Sequence, residues 1–298
     1  MKPKCLVCRS LAFFLLSKGD YNLYKCPSCQ LVFVWPPKKE NFLIKKVYNE
    51  SGYQASKHIK FNSLPQNNSY KKVFEFLTIK KGLKILDVGC SSGEFLYMAK
   101  KIGLEGYGVE VNKITAMAAK KNGLKVKNCT LEQAKFKTGF FGYIFLGDVI
   151  EHLVNPASMI RECKRILKRN GKLVIITPNL DCFWANLTYF LYKTFHIPWS
   201  SVTPPYHLFQ FSTSNLHQFM AKFNFKPEKI WYNPPPKLSY ELWFTGLPQD
   251  YNKNINNFLR YYTVYMVYGF FYILNKSLKY ILTKDNSICV IYSNCKRL

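Results

Sequence analysis

The sequence predicts an α/β protein with a mostly parallel sheet, helices on both sheet faces, and a small N-terminal cysteine-bearing unit. Between residues 84 and 179, short apolar runs alternate with helical segments, a pattern typical of right-handed βαβ units. Asn112 is a predicted helix cap, and Gly103 and Gly123 mark predicted helix ends within this region. The separate unit is predicted from four cysteines within the first 29 residues.

The predicted elements follow one another in a regular order. Strands are expected over 83–88, 105–111, 124–128, 143–147, 172–179, 226–232 and 287–292. Helices are expected over 66–80, 94–103, 112–123, 156–171 and 213–225. The chain therefore divides into a cysteine unit at 1–37, a linker at 38–65, and an α/β domain at 66–298 with aromatic inserts at about 180–206 and 234–285.

Composition narrows the class of protein. The chain has 298 residues, of which 48% are hydrophobic, and this supports one sizeable core with a small satellite unit. Its formal charge of +26 points toward an anionic partner such as RNA or a membrane surface. The lysines are spread along the whole chain, however, which favours a general compositional bias.

Cysteine usage and hydropathy predict the compartment. Six of the ten cysteines are scattered without the spacing of a disulfide framework, as expected in a reducing cytoplasm. The apolar run 11–16 is too short for a signal-peptide core. The longest uncharged run, 261–275, is shorter than the roughly 20 residues of a spanning helix. We therefore expect a cytoplasmic protein without a membrane span.

The stretch KILDVGCSSGEF, residues 84–95, predicts a ligand-binding turn at the end of the first strand of the parallel sheet. Ligands of open parallel sheets bind beyond the carboxyl ends of the strands. Gly89 permits a positive φ and the close approach of a ligand, and Ser91 is small enough to leave the path open. The carboxylate of Asp87 would repel a pyrophosphate, so a cationic ligand is favoured over a dinucleotide.

Glu110 adds a second requirement on the ligand. It lies at the predicted end of the next strand, where an acidic side chain can bind both hydroxyls of a ribose. A nucleoside that carries an ammonium-bearing tail satisfies both Glu110 and Asp87. S-adenosylmethionine is such a ligand.

Four stretches together resemble the class I S-adenosylmethionine-dependent methyltransferases, which have a Rossmann-like fold: ILDVGCSSGEFL, YGVEVN, FFGYIFLGDVIEHLVNP and ILKRNGKLVIITPN. The resemblance extends over about residues 70–180 and the closing strand. Ser91 stands where the family has its second motif glycine, and Thr130 where an acid or amide often binds adenine. The resemblance implies a cofactor site formed by Asp87, Gly89, Cys90, Ser91, Gly93, Glu110, Val111, Thr130, Leu131, Gly147 and Asp148.

Two C-x₂-C pairs, Cys5/Cys8 and Cys26/Cys29, predict a structural zinc site. Each pair presents two thiolates from one tight turn, and four thiolates leave no open coordination position. The unit is similar to the zinc ribbons that precede some bacterial sugar and small-molecule methyltransferases. Such ribbons also occur in nucleic-acid-binding proteins, so the ribbon leaves the substrate open.

The segment GDVIEHL places Asp148, Glu151 and His152 just after the fourth strand. If the segment forms a helical turn, these side chains share a face, and His207 in the aromatic insert can join them. The set resembles the metal site of small-RNA 2′-O-methyltransferases, and its first part resembles the ubiquinone-pathway O-methyltransferases. The four residues are therefore candidates for divalent-metal binding, for instance magnesium, or for general-base catalysis. The alternative is that Glu151 and His152 only cap helices and orient the loop.

The remaining histidines and the aromatic inserts carry weaker predictions. His58, His196 and His217 are expected to be surface or packing residues. The tyrosine-rich stretch 257–282 is compatible with packing on the sheet, with contact to an anionic membrane surface, or with an acceptor or dimer surface.

The sequence thus predicts a methyltransferase that acts on a hydroxyl of a sugar, a lipid-linked glycan or another small molecule. One alternative is an RNA 2′-O-methyltransferase that uses a divalent metal. The other is a non-catalytic scaffold that depends on zinc and has lost the cofactor.

Overall fold

The structure is a computed structural model that describes residues 2–39, 42–44, 67–197, 199–234, 255–277 and 285–295. Most of the linker predicted at 38–65 lies outside these residues, and so does His58. Most of the insert predicted at 234–285 also lies outside them, except for one long helix.

The N-terminal unit forms a small antiparallel sheet from strands β1 (Phe13–Lys18), β2 (Tyr21–Lys25) and β3 (Val32–Val34). The two C-x₂-C turns lie before β1 and between β2 and β3. This arrangement matches the predicted ribbon, and we refer to residues 2–37 as the ribbon.

The rest of the chain supplies the elements of the α/β unit. In chain order they are α1 (Asn68–Phe76), β4 (Lys84–Val88), α2 (Glu94–Lys101), β5 (Glu105–Val109), α3 (Lys113–Lys121), β6 (Lys125–Lys127), β7 (Phe141–Gly147), a 3₁₀ turn (Ile150–His152), α4 (Pro156–Ile166), β8 (Leu167–Pro178), α5 (Phe183–Phe195), β9 (Phe209–Gln210), α6 (Thr213–Ala221), β10 (Phe225–Asn233), α7 (Ile255–Ser277) and β11 (Ser287–Asn294). Predicted capping is confirmed at α3, where the side chain of Asn112 accepts hydrogen bonds from the N–H groups of Ile114 and Thr115.

The larger sheet has the order β10-β11-β8-β7-β4-β5-β6. Strands β8, β7, β4, β5 and β6 are parallel, whereas β11 pairs antiparallel with both β8 and β10. Ile85 and Leu86, adjacent on β4, are buried in two different hydrophobic clusters, so apolar packing covers both faces of the sheet. The predicted fold class is confirmed.

Three predicted helices are too long. The helix predicted over 156–171 ends at Ile166, because Leu167 adopts an extended conformation and pairs with Phe141 on β7. The helix predicted over 213–225 ends at Ala221, where Asn224 turns through a positive φ of 56° before β10. The helix predicted over 66–80 ends at Phe76.

The aromatic inserts form a helical pair beside the carboxyl ends of the parallel strands. Helix α5 follows β8, and its Trp184 packs edge-on against Tyr268 of α7 with ring centroids 5.4 Å apart. In the part of the chain that the structure describes, no helix combines the length and the apolarity required to cross a bilayer.

The ribbon joins the α/β unit through a strand that sequence reasoning did not identify. Phe209 and Gln210 of β9 pair antiparallel with β3, which makes the ribbon sheet four-stranded. Residues more than 170 positions apart in sequence thus share one sheet.

Candidate functional site

The predicted glycine turn lies at the carboxyl end of β4. Gly89, Ser91 and Gly93 have φ values of 73°, 47° and 90°, so the turn uses the left-handed conformation three times. The N–H groups of Gly89 and Cys90 both donate to the Val109 carbonyl at 2.8 and 3.1 Å, which fixes the turn against β5. A Cβ on Gly89 would lie 2.8 Å from a methyl carbon of Val149, so glycine is required there for packing as well as for conformation.

Glu110 follows β5 and is held by the backbone around it. Its Oε2 accepts from the Ser91 N–H at 2.8 Å, and its Oε1 accepts from the Asn112 N–H at 2.7 Å. Burial raises the pKa of Glu110, although these backbone N–H groups act in the opposite direction. Each carboxylate oxygen keeps a further lone pair, so Glu110 can still accept hydrogen bonds from a diol.

A cleft opens between this turn and the segment after β7. Eight of the predicted site residues line it: Gly89, Ser91, Glu110, Val111, Thr130, Leu131, Asp148 and His152. The Thr130 hydroxyl already accepts from the Gln133 N–H at 3.4 Å, and the Thr130 N–H donates to the Gln133 side chain at 3.1 Å. Thr130 is therefore partly committed to its own turn.

Other predicted cofactor residues lie behind the cleft wall. Asp87 is buried, and both its burial and the charge of Glu110 raise its pKa well above the ordinary value. Cys90 packs beneath the turn with Leu96 and other apolar residues. A Cβ on Gly93 would collide with the side chain of Leu124, so glycine is required at this position for packing. Gly147 ends β7 next to the cleft residue Asp148.

Sequence reasoning missed several cleft residues. Asn112 caps α3, as predicted, and it also lines the cleft together with Thr115 and Glu132. Leu43 and Ile44, which follow the ribbon, line the cleft as well. The proximity of Asn112 to Glu110 could have indicated the first of these, whereas nothing in the sequence places residues 43 and 44 there.

Asp148 departs from the predicted helical turn. It has a φ of 52°, so the chain turns away before the 3₁₀ turn that carries Glu151 and His152, and the expected shared helical face is wrong. Its side chain is exposed to solvent, but it lies in a concave surface with protein on most sides. This desolvation, together with the charge of Glu151, raises the pKa of Asp148 to about 7 despite the opposing effect of His152.

His207 packs against His152, which lines the cleft, so the two imidazoles come together as predicted. Their ring centroids are 4.8 Å apart at an interplanar angle of 71°. The Nδ1 of His152 lies 2.6 Å from the Tyr206 carbonyl. Because a carbonyl only accepts, Nδ1 carries the proton and Nε2 retains the lone pair. Burial lowers the pKa of His152, although the Tyr206 carbonyl raises it.

Glu151 lies behind His152 and is almost fully buried. Its Oε2 accepts from the Thr177 hydroxyl at 2.9 Å, and its Oε1 lies 3.8 Å from Nε2 of His152. Burial raises the pKa of Glu151 to about 7. Ligand atoms of Glu151, His152 and His207 all lie within 4.8 Å of one another, so these three residues could hold a cation, whereas Asp148 is not in this group.

The four ribbon cysteines form a second cluster. The Sγ atoms of Cys5 and Cys29 are 3.4 Å apart, and those of Cys8 and Cys26 are 3.3 Å apart. All four lie within 4.8 Å of one another and none forms a disulfide. Bonds of about 2.3 Å to a tetrahedral zinc would separate the thiolates by about 3.8 Å, so the geometry fits the ion.

The other histidines behave as predicted where the structure describes them. His196 is exposed and ends α5 with a φ of 55°. His217 packs edge-on against Tyr292 with ring centroids 5.8 Å apart.

Comparison with known proteins identifies the family of the chain. Residues 64–230 match a family described as a methyltransferase domain. An uncharacterized protein of Methanocaldococcus jannaschii is 37% identical over 120 residues, which are 40% of this chain and 56% of that protein. A ubiquinone biosynthesis O-methyltransferase of Nitrosococcus oceani is 30% identical over 105 residues, or 33% of this chain and 44% of that enzyme. The chain thus spans about half the length of the curated relatives it matches.

A solved structure shares the fold. Phosphoethanolamine N-methyltransferase 2 of Haemonchus contortus, in complex with S-adenosyl-L-methionine, superposes with a TM-score of 0.55 at 15% identity. The match covers 94% of this chain and 71% of that one.

Proposed function

The chain belongs to the methyltransferase domain family, and from that premise we propose that it methylates a hydroxyl group with S-adenosylmethionine as the donor. The acceptor class that we propose is a sugar, a lipid-linked glycan or another small molecule. The observation that carries the proposal is the Glu110 carboxylate, held by two backbone N–H groups in the same cleft as the imidazole of His152.

The cofactor would occupy the side of the cleft formed by the turn after β4 and the residues around Glu110. When bound, it supplies an electrophilic methyl group on a sulfonium. Glu110 would accept hydrogen bonds from the ribose hydroxyls, and Gly89 leaves room for the ligand to approach the backbone. Leu131 lines the same wall and would contact the adenine.

The acceptor would occupy the opposite side, near Asp148 and His152. The Nε2 lone pair of His152 can take the proton of an acceptor hydroxyl, because Nδ1–H is committed to the Tyr206 carbonyl. An oxygen acceptor fits this arrangement, since deprotonation makes a hydroxyl nucleophilic. Alignment of acceptor and donor, with water excluded, would supply much of the rate enhancement.

A second candidate is RNA 2′-O-methylation assisted by a divalent ion. The observation in its favour is the grouping of Glu151, His152 and His207 within 4.8 Å. A bound magnesium ion would polarise the acceptor hydroxyl. If this candidate holds, RNA binding will weaken steeply with salt and chelators will abolish activity; salt-insensitive or absent RNA binding rejects it.

A lipid-linked acceptor would place the protein at an anionic membrane surface. Tyr262, Met266, Phe270 and Ile273 form one exposed stripe on α7, and Phe190 is exposed on α5. Aromatic residues and lysines are typical of the interfacial region of a bilayer. Sedimentation with vesicles of anionic lipid, compared with neutral lipid, tests the contact, and Phe270→Glu should weaken it.

We also propose that the ribbon binds zinc, because its four cysteine Sγ atoms lie close enough together to coordinate one tetrahedral zinc ion. Metal analysis of the purified protein should give one zinc per chain, and Cys26→Ser should reduce the amount bound.

Calorimetry with S-adenosylmethionine tests the central proposal. The folded, zinc-loaded protein should bind it, and Glu110→Gln should bind more weakly. Absence of binding by the wild type would favour the alternative of a zinc-dependent scaffold without a cofactor.

A further inference from the structure

The loop that carries His207 contacts the cleft residue His152, and distant parts of the chain hold this loop in place. We call residues 199–210 the histidine loop. Its Tyr206 carbonyl fixes the ring of His152, and the ring of His207 packs against it. Whatever holds this loop therefore determines where both imidazoles lie.

The ribbon holds the C-terminal end of the loop by strand pairing. Val32 of β3 pairs with Gln210 and Phe33 with Phe209. The Val34 N–H donates to the Leu208 carbonyl at 2.9 Å. The histidine loop thus ends as the outermost strand of the ribbon sheet.

The ribbon also holds the N-terminal end of the loop. The Nζ of Lys18, at the end of β1, donates to the carbonyl groups of Trp199 at 3.0 Å and Val202 at 2.7 Å. Lys18 is half-buried, and the two carbonyl acceptors compensate its ammonium for the lost water. Burial lowers the pKa of Lys18 to about 8, in accord with this cost.

Apolar packing joins the two attachment points. Four ribbon side chains and three loop side chains are buried in one cluster, which contains Leu16, Leu23, Val32, Val34, Trp199, Val202 and Leu208. The loop is thus part of the hydrophobic core of the ribbon, although it lies far from the ribbon in sequence.

The loop passes this constraint on to the candidate catalytic residues. The Leu208 N–H donates to the Glu151 carbonyl at 2.8 Å, next to the residue whose ring Tyr206 fixes. The second cysteine turn is attached nearby, because the side chain of Asn215 donates to the Cys29 carbonyl at 3.2 Å. Contacts therefore run from the cysteine cluster through β3 and Leu208 to Glu151 and His152.

We infer that the ribbon is a positioning device for the acceptor side of the cleft: it clamps the histidine loop at both ends, and Lys18 and the zinc cluster are positioning elements that act through that loop. This inference rests on the proposed function for the identity of the acceptor side. The cofactor side should not depend on the clamp, because Glu110 is held by its own neighbours Ser91 and Asn112.

Hydrogen–deuterium exchange of the full-length, zinc-loaded protein tests the clamp. In Lys18→Met, peptides covering 199–210 should exchange about tenfold faster, the effect expected from the loss of one or two hydrogen bonds. Peptides covering 84–132 should be unchanged. The matched control is Lys4→Met, which removes an exposed ribbon lysine, and Lys18→Arg should restore much of the protection.

Two further measurements keep the test decisive. The ring NMR signals of His152 and His207 should shift in Lys18→Met but not in Lys4→Met. Zinc removal from the wild type by a chelator should loosen 199–210 in the same way, which covers the case in which a variant fails to fold. Unchanged exchange at 199–210, or equal loosening of 84–132, overturns the inference. Absence of S-adenosylmethionine binding by the wild type would instead reject the proposed function and leave the exchange result valid.

Discussion

The two sides of the cleft are built in different ways. On the cofactor side, Glu110 is held by Ser91 and Asn112, which are 19 and 2 residues away in sequence. On the acceptor side, His152 is oriented by a carbonyl 54 residues away, and the loop that supplies it is bound by Lys18, 181 residues from Trp199. Local contacts define the first side and long-range contacts the second.

This difference fits the chemistry proposed for each side. A donor site that binds one constant cofactor can be encoded in a single strand–turn–helix unit and the next strand. An acceptor site must fit a particular substrate, and surface loops and added units can vary without disturbing the sheet. The ribbon and the aromatic insert supply such added parts here.

The largest effect is expected at Glu110. Glu110→Gln removes the charged carboxylate that would accept hydrogen bonds from the ribose hydroxyls. The affinity for S-adenosylmethionine should therefore fall about 10- to 100-fold, which is the contribution expected of hydrogen bonds to a charged group. Calorimetry measures this, and Glu75→Gln, at an exposed acid of α1 that does not line the cleft, serves as the control. An unchanged affinity would mean that the cofactor side has been misassigned.

The next effect concerns the stability of the fold on the cofactor side. Gly93 has a φ of 90° and no room for a Cβ beside Leu124, so Gly93→Ala should lower the free energy of unfolding by about 1–3 kcal/mol. Gly139 also has a positive φ, of 64°, but nothing lies within 4 Å of its Cβ position, so Gly139→Ala should cost less. Urea unfolding compares the two, and equal losses would show that Leu124 yields at no cost.

A pH effect should appear on the acceptor side through Lys18. Its pKa is about 8 in the folded protein, against an ordinary value of 10.5. The folded state therefore binds fewer protons than the unfolded state between pH 8 and 10.5, and the contribution of Lys18 to stability rises with pH across that window. The unfolding free energy of the wild type minus that of Lys18→Met should therefore increase from pH 7.5 to pH 10. A constant difference would contradict the partial burial of this ammonium.

The smallest effect is expected on the affinity for the cofactor when a residue of the acceptor side is replaced. His152→Gln removes the imidazole from the acceptor side, and the affinity for S-adenosylmethionine should change by less than about threefold. Methylation of a hydroxyl acceptor should fall much further. A loss of cofactor affinity as large as that of Glu110→Gln would show that the two sides are not separate.

The cofactor side was largely predictable because its signals lie within short stretches of sequence. The glycines of the turn, the acid at the end of the next strand and the cap at Asn112 all follow from local backbone requirements. Even here, sequence could not say that Cys90 points away from the cleft into the packing against Leu96, or that Gly93 makes room for Leu124. Both outcomes depend on which helices pack against the strand.

The sequence by itself determined the alternating α/β order, the two cysteine pairs and the turn that ends β4, because periodicity, ligand spacing and backbone conformation act over a few residues. Only the tertiary structure decided that Asp148 is outside the group formed by Glu151, His152 and His207, and that Phe209 and Gln210 complete the ribbon sheet. Strand pairing and side-chain packing between distant segments depend on the tertiary fold of the whole chain, which no local sequence pattern specifies.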